Sequence, residues 1–94
     1  MIMGIVSALP SKYFVYLLKS LVDNYYYIGQ TDNIKKRLKE HNDGKAKSTK
    51  FRKPFELIGY EEYTTRNEAR WNEYQYKNHS DKKKKFIEKL LTKI

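Results

Sequence analysis

Two phenols, a guanidinium, an imidazole and a carboxylate stand in this 94-residue chain where local structure could bring them together. They belong to Tyr16, Tyr27, Arg37, His41 and Glu73. Hydrolysis of a phosphodiester builds negative charge, which an arginine and a carboxylate-bound metal ion can stabilise. A tyrosine could activate water only if nearby cations lower its pKa from the usual value of about 10. The set therefore predicts one-metal cleavage of a phosphodiester, provided that the fold assembles it.

The two phenols lie on segments that predict the arms of one β-hairpin. Residues 13–18 are aromatic and β-branched, an Asp-Asn turn signal follows, and residues 25–28 resume the strand character until Gly29 ends it. Tyr16 and Tyr27 would then lie on neighbouring strands and could share a sheet face. The alternative is that most of the nine tyrosines are only β-forming residues with a polar tip at the surface.

Arg37 and His41 lie one turn apart on the first predicted helix, which Thr31 or Asp32 could cap and which ends near Gly44. Side chains at positions i and i+4 project from the same helix face. Arg37 could pair with a phosphate in bidentate fashion, while His41 hydrogen-bonds the reacting region. The plainer alternatives are one more surface cation and a histidine that favours the C-terminal end of the helix dipole.

The remaining elements complete an α+β pattern. Residues 55–63 alternate well enough to predict a third strand with all of its odd-numbered residues on one face. Thr65 and Glu68 match a capping box that opens a helix running to about Lys77, and Ser80 could cap a last helix. The order ββαβαα predicts an α+β fold, a small three-stranded antiparallel sheet flanked by helices.

Glu73 lies in the penultimate helix on one stripe with Ala69 and Tyr76. A carboxylate on a core-side stripe is costly unless it is paired or bound to a metal. A single carboxylate suits Mg²⁺, which keeps most of its water ligands. The alternative is a partly exposed i,i+4 ion pair with Lys77, which would stabilise the helix by only about 0.2–0.5 kcal/mol. The residues alone favour neither interpretation.

The charge is unevenly distributed. The chain has a net charge of +9, with nine basic and two acidic residues at 35–53, seven and two at 77–94, but two and five at 54–76. Two basic patches around an acidic middle indicate a polyanionic partner and an anionic site such as a metal site, whereas the plainer alternative is charge for solubility alone. An exposed loop carries candidate phosphate-binding residues: Lys45, Lys47, Ser48, Thr49, Lys50, Arg52 and Lys53.

Composition limits the organisation and location of the chain. Residues 1–12 are predicted to be a loosely ordered leader, because the apolar run there has no basic n-region and is too short to span a bilayer; a weak signal-peptide core is the alternative. Residues 13–94 have the length of one domain. The absence of cysteine fits a reducing compartment, so we expect a cytoplasmic protein without a membrane partner.

The order of these motifs resembles the GIY-YIG nuclease superfamily, in particular its small stand-alone bacterial members. The resemblance spans residues 13–90 and rests on Phe14-Val15-Tyr16, a ten-residue gap, Tyr27-Ile28-Gly29, and the spacing of the arginine, histidine and glutamate that follow. Phe14 and Val15 replace the glycine and isoleucine of the first family motif, and both still suit a strand. We expect no second DNA-binding domain beside these motifs, which leaves the choice of substrate open.

The resemblance implies a role for each motif residue. Tyr16 would activate the attacking water, Tyr27 would help to position water or phosphate, and Arg37 would stabilise the charge that builds on the scissile phosphate. His41 matches a frequent family histidine near the same site. Gly29 would keep the backbone open at the strand end.

Glu73, by the same resemblance, would be the sole protein ligand of Mg²⁺ or Mn²⁺. The expected activity is metal-dependent cleavage of DNA by an endonuclease or exonuclease, acting on branched, damaged or single-stranded DNA. The alternatives are a nucleic-acid-binding domain on the same fold without chemistry, and an interaction domain whose charge serves solubility. The binder would not need Glu73, and the interaction domain would not need the basic loop.

Overall fold

The computed structural model describes residues 12–92. Except for Lys12, the predicted leader lies outside the described residues. The elements are β1 (Tyr13–Ser20), β2 (Tyr26–Thr31), α1 (Ile34–Asn42), a 3₁₀ turn (Lys50–Arg52), β3 (Phe55–Tyr63), α2 (Arg66–Asn78) and α3 (Ser80–Leu91). The predicted α+β class and ββαβαα order are confirmed. Within residues 12–92, no helix is long and apolar enough to cross a membrane.

β1 is the centre of the fold. It pairs antiparallel with β2 on one side and β3 on the other, so the strand order is β2-β1-β3. Successive strand side chains point to opposite faces. Val15 and Leu17 therefore pack under α2 and α3, while Tyr16 and Leu18 pack on the face covered by α1. All four side chains are almost fully buried, so this one strand supplies both cores.

A β-bulge overturns the prediction that the odd-numbered residues of β3 share one face. Leu17 pairs with Gly59 but Leu18 pairs with Leu57, which leaves Ile58 as the extra residue. One added residue exchanges the faces beyond it, because the side-chain period of a strand is two. Leu57 therefore packs beside Leu18, and Ile58 packs in the opposite core. Alternation in the sequence alone does not reveal the inserted residue.

The helix starts differ from prediction at two of three positions. α1 is capped by Asn33, whose side chain accepts a hydrogen bond from the Lys36 N–H at 3.1 Å, and not by Thr31 or Asp32. Thr31 instead accepts from the N–H of Asn33 itself, at 3.1 Å. Thr31 and Asn33 are both residue types that can cap a helix, and Asn33, which is nearer the first turn, is the cap.

The last two helices meet at a tight joint. The predicted cap of α2 is confirmed, since Thr65 accepts from the Glu68 N–H at 3.1 Å. The predicted cap of α3 is wrong: His79 is both the C-cap of α2 and the N-cap of α3, and Ser80 is the first helical residue. With one residue shared by two helices, no separate capping side chain precedes α3.

Gly29 does not end β2, which continues to Thr31. It pairs with Tyr16, and a Cβ at this position would lie 2.3 Å from Tyr16 Oη and 2.5 Å from its Cζ. The phenol ring of Tyr16 therefore lies directly across the backbone of β2. Only a residue without a side chain leaves room for it.

Replacing Gly29 by alanine should displace the ring of Tyr16 and lower the free energy of unfolding by about 1–3 kcal/mol, as overpacking does in other cores. Gly59→Ala is the matched control, because its Cβ would meet Leu90 Cδ2 at the milder distance of 3.3 Å. Urea unfolding measures both variants.

The cause is tested by combining Gly29→Ala with Tyr16→Leu. If the clash with the phenol is responsible, the loss in the double variant will be smaller than the sum of the two single losses. Strict additivity would show that the alanine acts through the backbone and not through Tyr16.

Candidate active site

A buried chain of three polar side chains lies between β1, α1 and the basic loop. Tyr16 Oη is 3.0 Å from His41 Nε2, and His41 Nδ1 is 2.7 Å from Thr49 Oγ1. The Thr49 hydroxyl donates to the carbonyl of Ala46 at 3.4 Å, so it accepts from His41 Nδ1–H. Nε2 is then the unprotonated nitrogen and accepts the phenolic hydrogen of Tyr16. Each group in the chain therefore donates to the next one, from the Tyr16 phenol through His41 and Thr49 to the carbonyl of Ala46.

His41 is a core residue and not a surface histidine at the end of a helix. Its side chain is 0% exposed, and its ring lies 5.0 Å from that of Tyr27 and 5.9 Å from that of Phe55, measured between centroids. The pKa of His41 is lowered to about 4, chiefly by burial and also by the charge of Arg37. The imidazole is therefore neutral at neutral pH, as its hydrogen bonds require.

Tyr16 is held in its protonated form. Burial raises the pKa of the phenol to about 12, outweighing the lowering caused by the nearby Arg37 guanidinium. The charges of Tyr27 and Glu73 contribute to the same rise. A phenol acting as a base needs the opposite shift, and in the protein by itself Arg37 alone does not supply it.

Arg37 projects from α1 beside the phenol. Its Nη1 pairs with Glu40 Oε1 at 3.0 Å, an i,i+3 ion pair, and its side chain is 36% exposed. The pairing leaves other N–H groups of the guanidinium for a phosphate. Glu40 was not among the predicted site residues, although its position three residues after Arg37 is a spacing that pairs side chains on a helix.

Glu73 comes to the site from the other side of the sheet. α2 packs under β1 and β2, yet the Glu73 carboxylate raises the pKa of Tyr16, so it lies within electrostatic range of the phenol. Its Oε2 is 3.0 Å from Lys77 Nζ, and its side chain is 22% exposed. The i,i+4 ion pair that the sequence left open is thus present. Lys77 Nζ also lies 5.4 Å from the centroid of the Tyr27 ring, so the Glu73–Lys77 ion pair lies beside the edge strand β2.

The structure brings the two tyrosines and the histidine of the predicted catalytic set together. Tyr16 and Tyr27 share a sheet face, with ring centroids 6.5 Å apart. His41 lies beneath them in the core, and not at the edge of a cleft. Arg37 on α1 and Glu73 on α2 act on the phenol of Tyr16 through their charges, the first lowering its pKa and the second raising it.

The basic loop is divided between surface and core. Thr49 is only 1% exposed, so it lies under His41 and does not form part of a binding surface. Arg52 is half-buried, pairs with Asp23 at 2.6 Å, and lies 4.1 Å from the centroid of the Tyr25 ring. The remaining predicted phosphate-binding residues are exposed: Lys45, Lys47, Ser48, Lys50 and Lys53.

The contact of Thr49 with His41 was missed because the loop was interpreted as uniformly polar. The loop has two apolar residues; Phe51 is exposed, whereas Ala46 is buried together with Thr49, three positions on. Ala46 and Thr49 therefore form the side of the loop that faces the core. The position of Lys77 beside Tyr27 was also missed from the sequence. This contact joins two elements that are distant in sequence, so residue spacing within one element does not predict it.

The donor set bears on which metal could bind. Among residues 12–92, no three histidine, aspartate or glutamate side chains cluster. A single carboxylate fits an ion such as Mg²⁺ that retains several water ligands, and does not resemble a closed site of four protein ligands. Glu73 Oε2 engages Lys77, and in the described part of the chain Oε1 makes no hydrogen bond.

Residues 12–86 match the family profile of the GIY-YIG catalytic domain. The chain belongs to this nuclease family. It is 47% identical over 75 residues to UPF0213 protein YazA of Bacillus subtilis, covering 79% of this chain and 75% of that one. A UPF0213 protein of Staphylococcus epidermidis is 42% identical over 74 residues, covering 78% and 89%. The solution NMR structure of a Bacillus halodurans UPF0213 protein aligns with a TM-score of 0.52 and 35% identity over 84% of each chain. The predicted resemblance is confirmed.

The neutral His41 gives a test by pH. Its pKa in the folded protein, about 4, lies below the ordinary value of 6.5. The stability that it contributes is therefore complete above pH 6.5 and is lost as the pH falls through about 4. Between pH 7 and pH 4, the free energy of unfolding should fall by up to about 3 kcal/mol more in the wild type than in His41→Gln.

Urea unfolding at several pH values across this range measures the difference. The carboxylates titrate in both proteins, so subtracting the two curves isolates the histidine. Parallel curves would mean that His41 is not held neutral by the fold.

Proposed function

We propose that this GIY-YIG protein is a metal-dependent nuclease that hydrolyses DNA phosphodiester bonds, with branched, damaged or single-stranded DNA as candidate substrates. The supporting observation is the hydrogen-bonded chain from Tyr16 through His41 to Thr49, at whose phenol end the charges of Arg37 and Glu73 both act on the pKa of Tyr16. A phenol whose hydrogen points inward offers its oxygen lone pairs to a water outside. That is the orientation which general-base activation of water requires.

The proton path uses only groups of this chain. Tyr16 Oη accepts a proton from the attacking water and passes its own proton to Nε2 of His41, so hydroxide is formed while the phenol stays neutral. The low pKa of His41 opposes this transfer, and the charge of Arg37 is one of its causes. A substrate phosphate bound to Arg37 would neutralise that charge and raise the pKa of the imidazole. Substrate binding would thus help to switch the relay on.

Arg37 also binds and orients the scissile phosphate, because the N–H groups not engaged by Glu40 can form charge-assisted hydrogen bonds to its oxygens. Tyr27, beside Tyr16 and above His41, would hold the water or a phosphate oxygen in place. Glu73 would hold Mg²⁺ or Mn²⁺, which when bound supplies Lewis-acid stabilisation of the developing charge. The absence of cysteine and the exposed lysines of the basic loop fit a cytoplasmic DNA partner.

The Glu73–Lys77 ion pair favours a second candidate, a DNA-binding protein without chemistry in which the carboxylate only fixes the helix. Glu73→Gln separates the two. We expect it to reduce Mg²⁺-dependent cleavage of labelled single-stranded, duplex or branched DNA by at least about 100-fold while leaving DNA binding and thermal stability nearly unchanged.

Lys77→Met is the matched control, because it breaks the same ion pair and keeps the carboxylate. It should retain far more activity than Glu73→Gln. Equal cleavage by Glu73→Gln and the wild type would refute the metal-ligand role, and equal losses in both variants would assign the effect to the ion pair.

Binding by phosphate contacts predicts a steep dependence on salt. A domain of this size should contact about three to five phosphates, so log K against log salt should have a slope of roughly −2 to −5. Replacing Lys47 and Lys50, both exposed in the basic loop, by alanine should make the slope shallower by up to about two and weaken all sequences alike.

Fluorescence anisotropy of labelled DNA across a salt series measures the slope. Lys84→Ala with Lys85→Ala is the control, since it removes the same charge from exposed positions on α3. An equal effect of the two double variants would show that overall charge, and not the basic loop, governs binding.

A further inference from the structure

Two large aromatic side chains lie on the outer side of α2 without a role in either core. Trp71 is 62% exposed and Tyr74 is 54% exposed. Their rings are nearly parallel, at 19°, with centroids 6.0 Å apart. Together with Asn67 and Arg70 they line a surface hollow of about 560 Å³. Contiguous apolar surface rimmed by polar groups is characteristic of a binding site.

Cations border this pair of rings on the side toward the candidate active site. Arg70 is one turn before Tyr74 and Lys77 is three residues after it, so both are its neighbours on the helix surface. In the described part of the chain, Arg70 forms no salt bridge. The hollow therefore has a guanidinium without a salt bridge at its edge, and the Lys77 ammonium, which pairs with Glu73, lies between the rings and the candidate active site along the helix.

The aromatic pair is close to Glu73 along the helix surface. At 3.6 residues per turn, Tyr74 lies about 100° around the axis from Glu73, and Trp71 lies about 160° around it. On a helix 10–12 Å in diameter, the path from the carboxylate to the rings is roughly 10–15 Å. A strand whose phosphate sits at Arg37 and Glu73 could reach the rings within a few nucleotides.

We propose that Trp71 and Tyr74 form a stacking platform for unpaired nucleobases of the strand that is cut, with Arg70 and Lys77 binding the phosphates between platform and active site. The proposal rests on the nuclease function and narrows its substrate class to nucleic acid with a single-stranded segment beside the cleavage position. Bases in a duplex already stack on their neighbours, whereas an unpaired base has free faces for aromatic side chains.

Charge favours a nucleic acid over a second copy of this chain as the occupant. The protein has a net charge of +9, and an isologous contact through α2 would place Arg70 and Lys77 of both copies against each other. A polyanion carrying aromatic bases complements both features of the surface at once. Asn67, at the far edge of the hollow, adds an amide that can hydrogen-bond a base edge.

Trp71 is the only tryptophan in the chain, so its fluorescence reports on the platform directly. The protein is titrated, with a chelator present to prevent cleavage, with an oligothymidylate, with an abasic strand of the same length and with a blunt duplex. Anisotropy of the labelled strand measures binding in parallel. We expect the oligothymidylate to quench the Trp71 emission strongly, and the abasic strand and the duplex to bind through their phosphates without comparable quenching.

Substitutions separate stacking from charge. Trp71→Leu and Tyr74→Leu should each weaken binding of the oligothymidylate by about 5- to 100-fold, the loss typical of one base stack, and leave the affinity for the abasic strand unchanged. Trp71→Phe keeps a smaller ring and should lose less. A circular dichroism melt of each variant shows whether the fold is retained.

The outcomes distinguish this proposal from the nuclease function. Unchanged Trp71 emission with bound oligothymidylate, or equal losses for abasic and base-carrying strands, overturns the platform and leaves the nuclease proposal standing. Emission that depends on protein concentration without DNA, together with dimers in sedimentation, overturns it in favour of self-association. A protein that binds no strand and cleaves none ends both proposals.

Discussion

The contact between Tyr16 and Gly29, with His41 beneath it, is the constraint on which the site depends. The phenol must cross the backbone of β2 to reach the imidazole, and a side chain at position 29 would occupy that space. This ring and its hydrogen bond therefore join α1 to the two paired strands β1 and β2. Thr49 completes the arrangement from the basic loop, which is buried at Ala46 and Thr49 and leaves its lysines at the surface.

The same arrangement explains why a polar chain can lie in the interior. A buried hydroxyl or imidazole left without a partner destabilises a fold by about 1–3 kcal/mol. Here Tyr16, His41 and Thr49 each have a partner, and the chain ends on the carbonyl of Ala46. Because Nδ1 of the imidazole donates to the threonine, Nε2 has to accept, and the direction of the phenolic hydrogen follows. The hydrogen bonds of a loop residue thus set the orientation of the proposed catalytic group.

Much of the fold could be predicted because its signals are local: strand composition, the capping box at Thr65 and the stop at Gly44 each depend on a few adjacent residues. Motif order likewise identified the family. The errors at the starts of α1 and α3 are shifts of one or two residues, whereas the remaining errors concern relations between distant segments. The bulge at Ile58 depends on pairing with β1, and the burial of His41 depends on the loop that closes over it. The need for glycine at position 29 is visible only once the opposite residue is known.

Stability and the proposed chemistry make opposite demands on this site. The folded protein favours a protonated Tyr16, with a pKa of about 12, and a neutral His41, with a pKa of about 4. A proton relay needs these two pKa values to approach each other during the reaction, and each unit corresponds to about 1.4 kcal/mol. Burial is the first cause of both shifts. The charge of Arg37 adds to the lowering of the His41 pKa but opposes the rise of the Tyr16 pKa. A group that neutralises Arg37 therefore acts on the imidazole and the phenol together, raising the proton affinity of each. Proton transfer to His41 becomes more favourable if the pKa of His41 rises more than that of Tyr16. His41 is the final proton acceptor, so its pKa controls the proposed reaction.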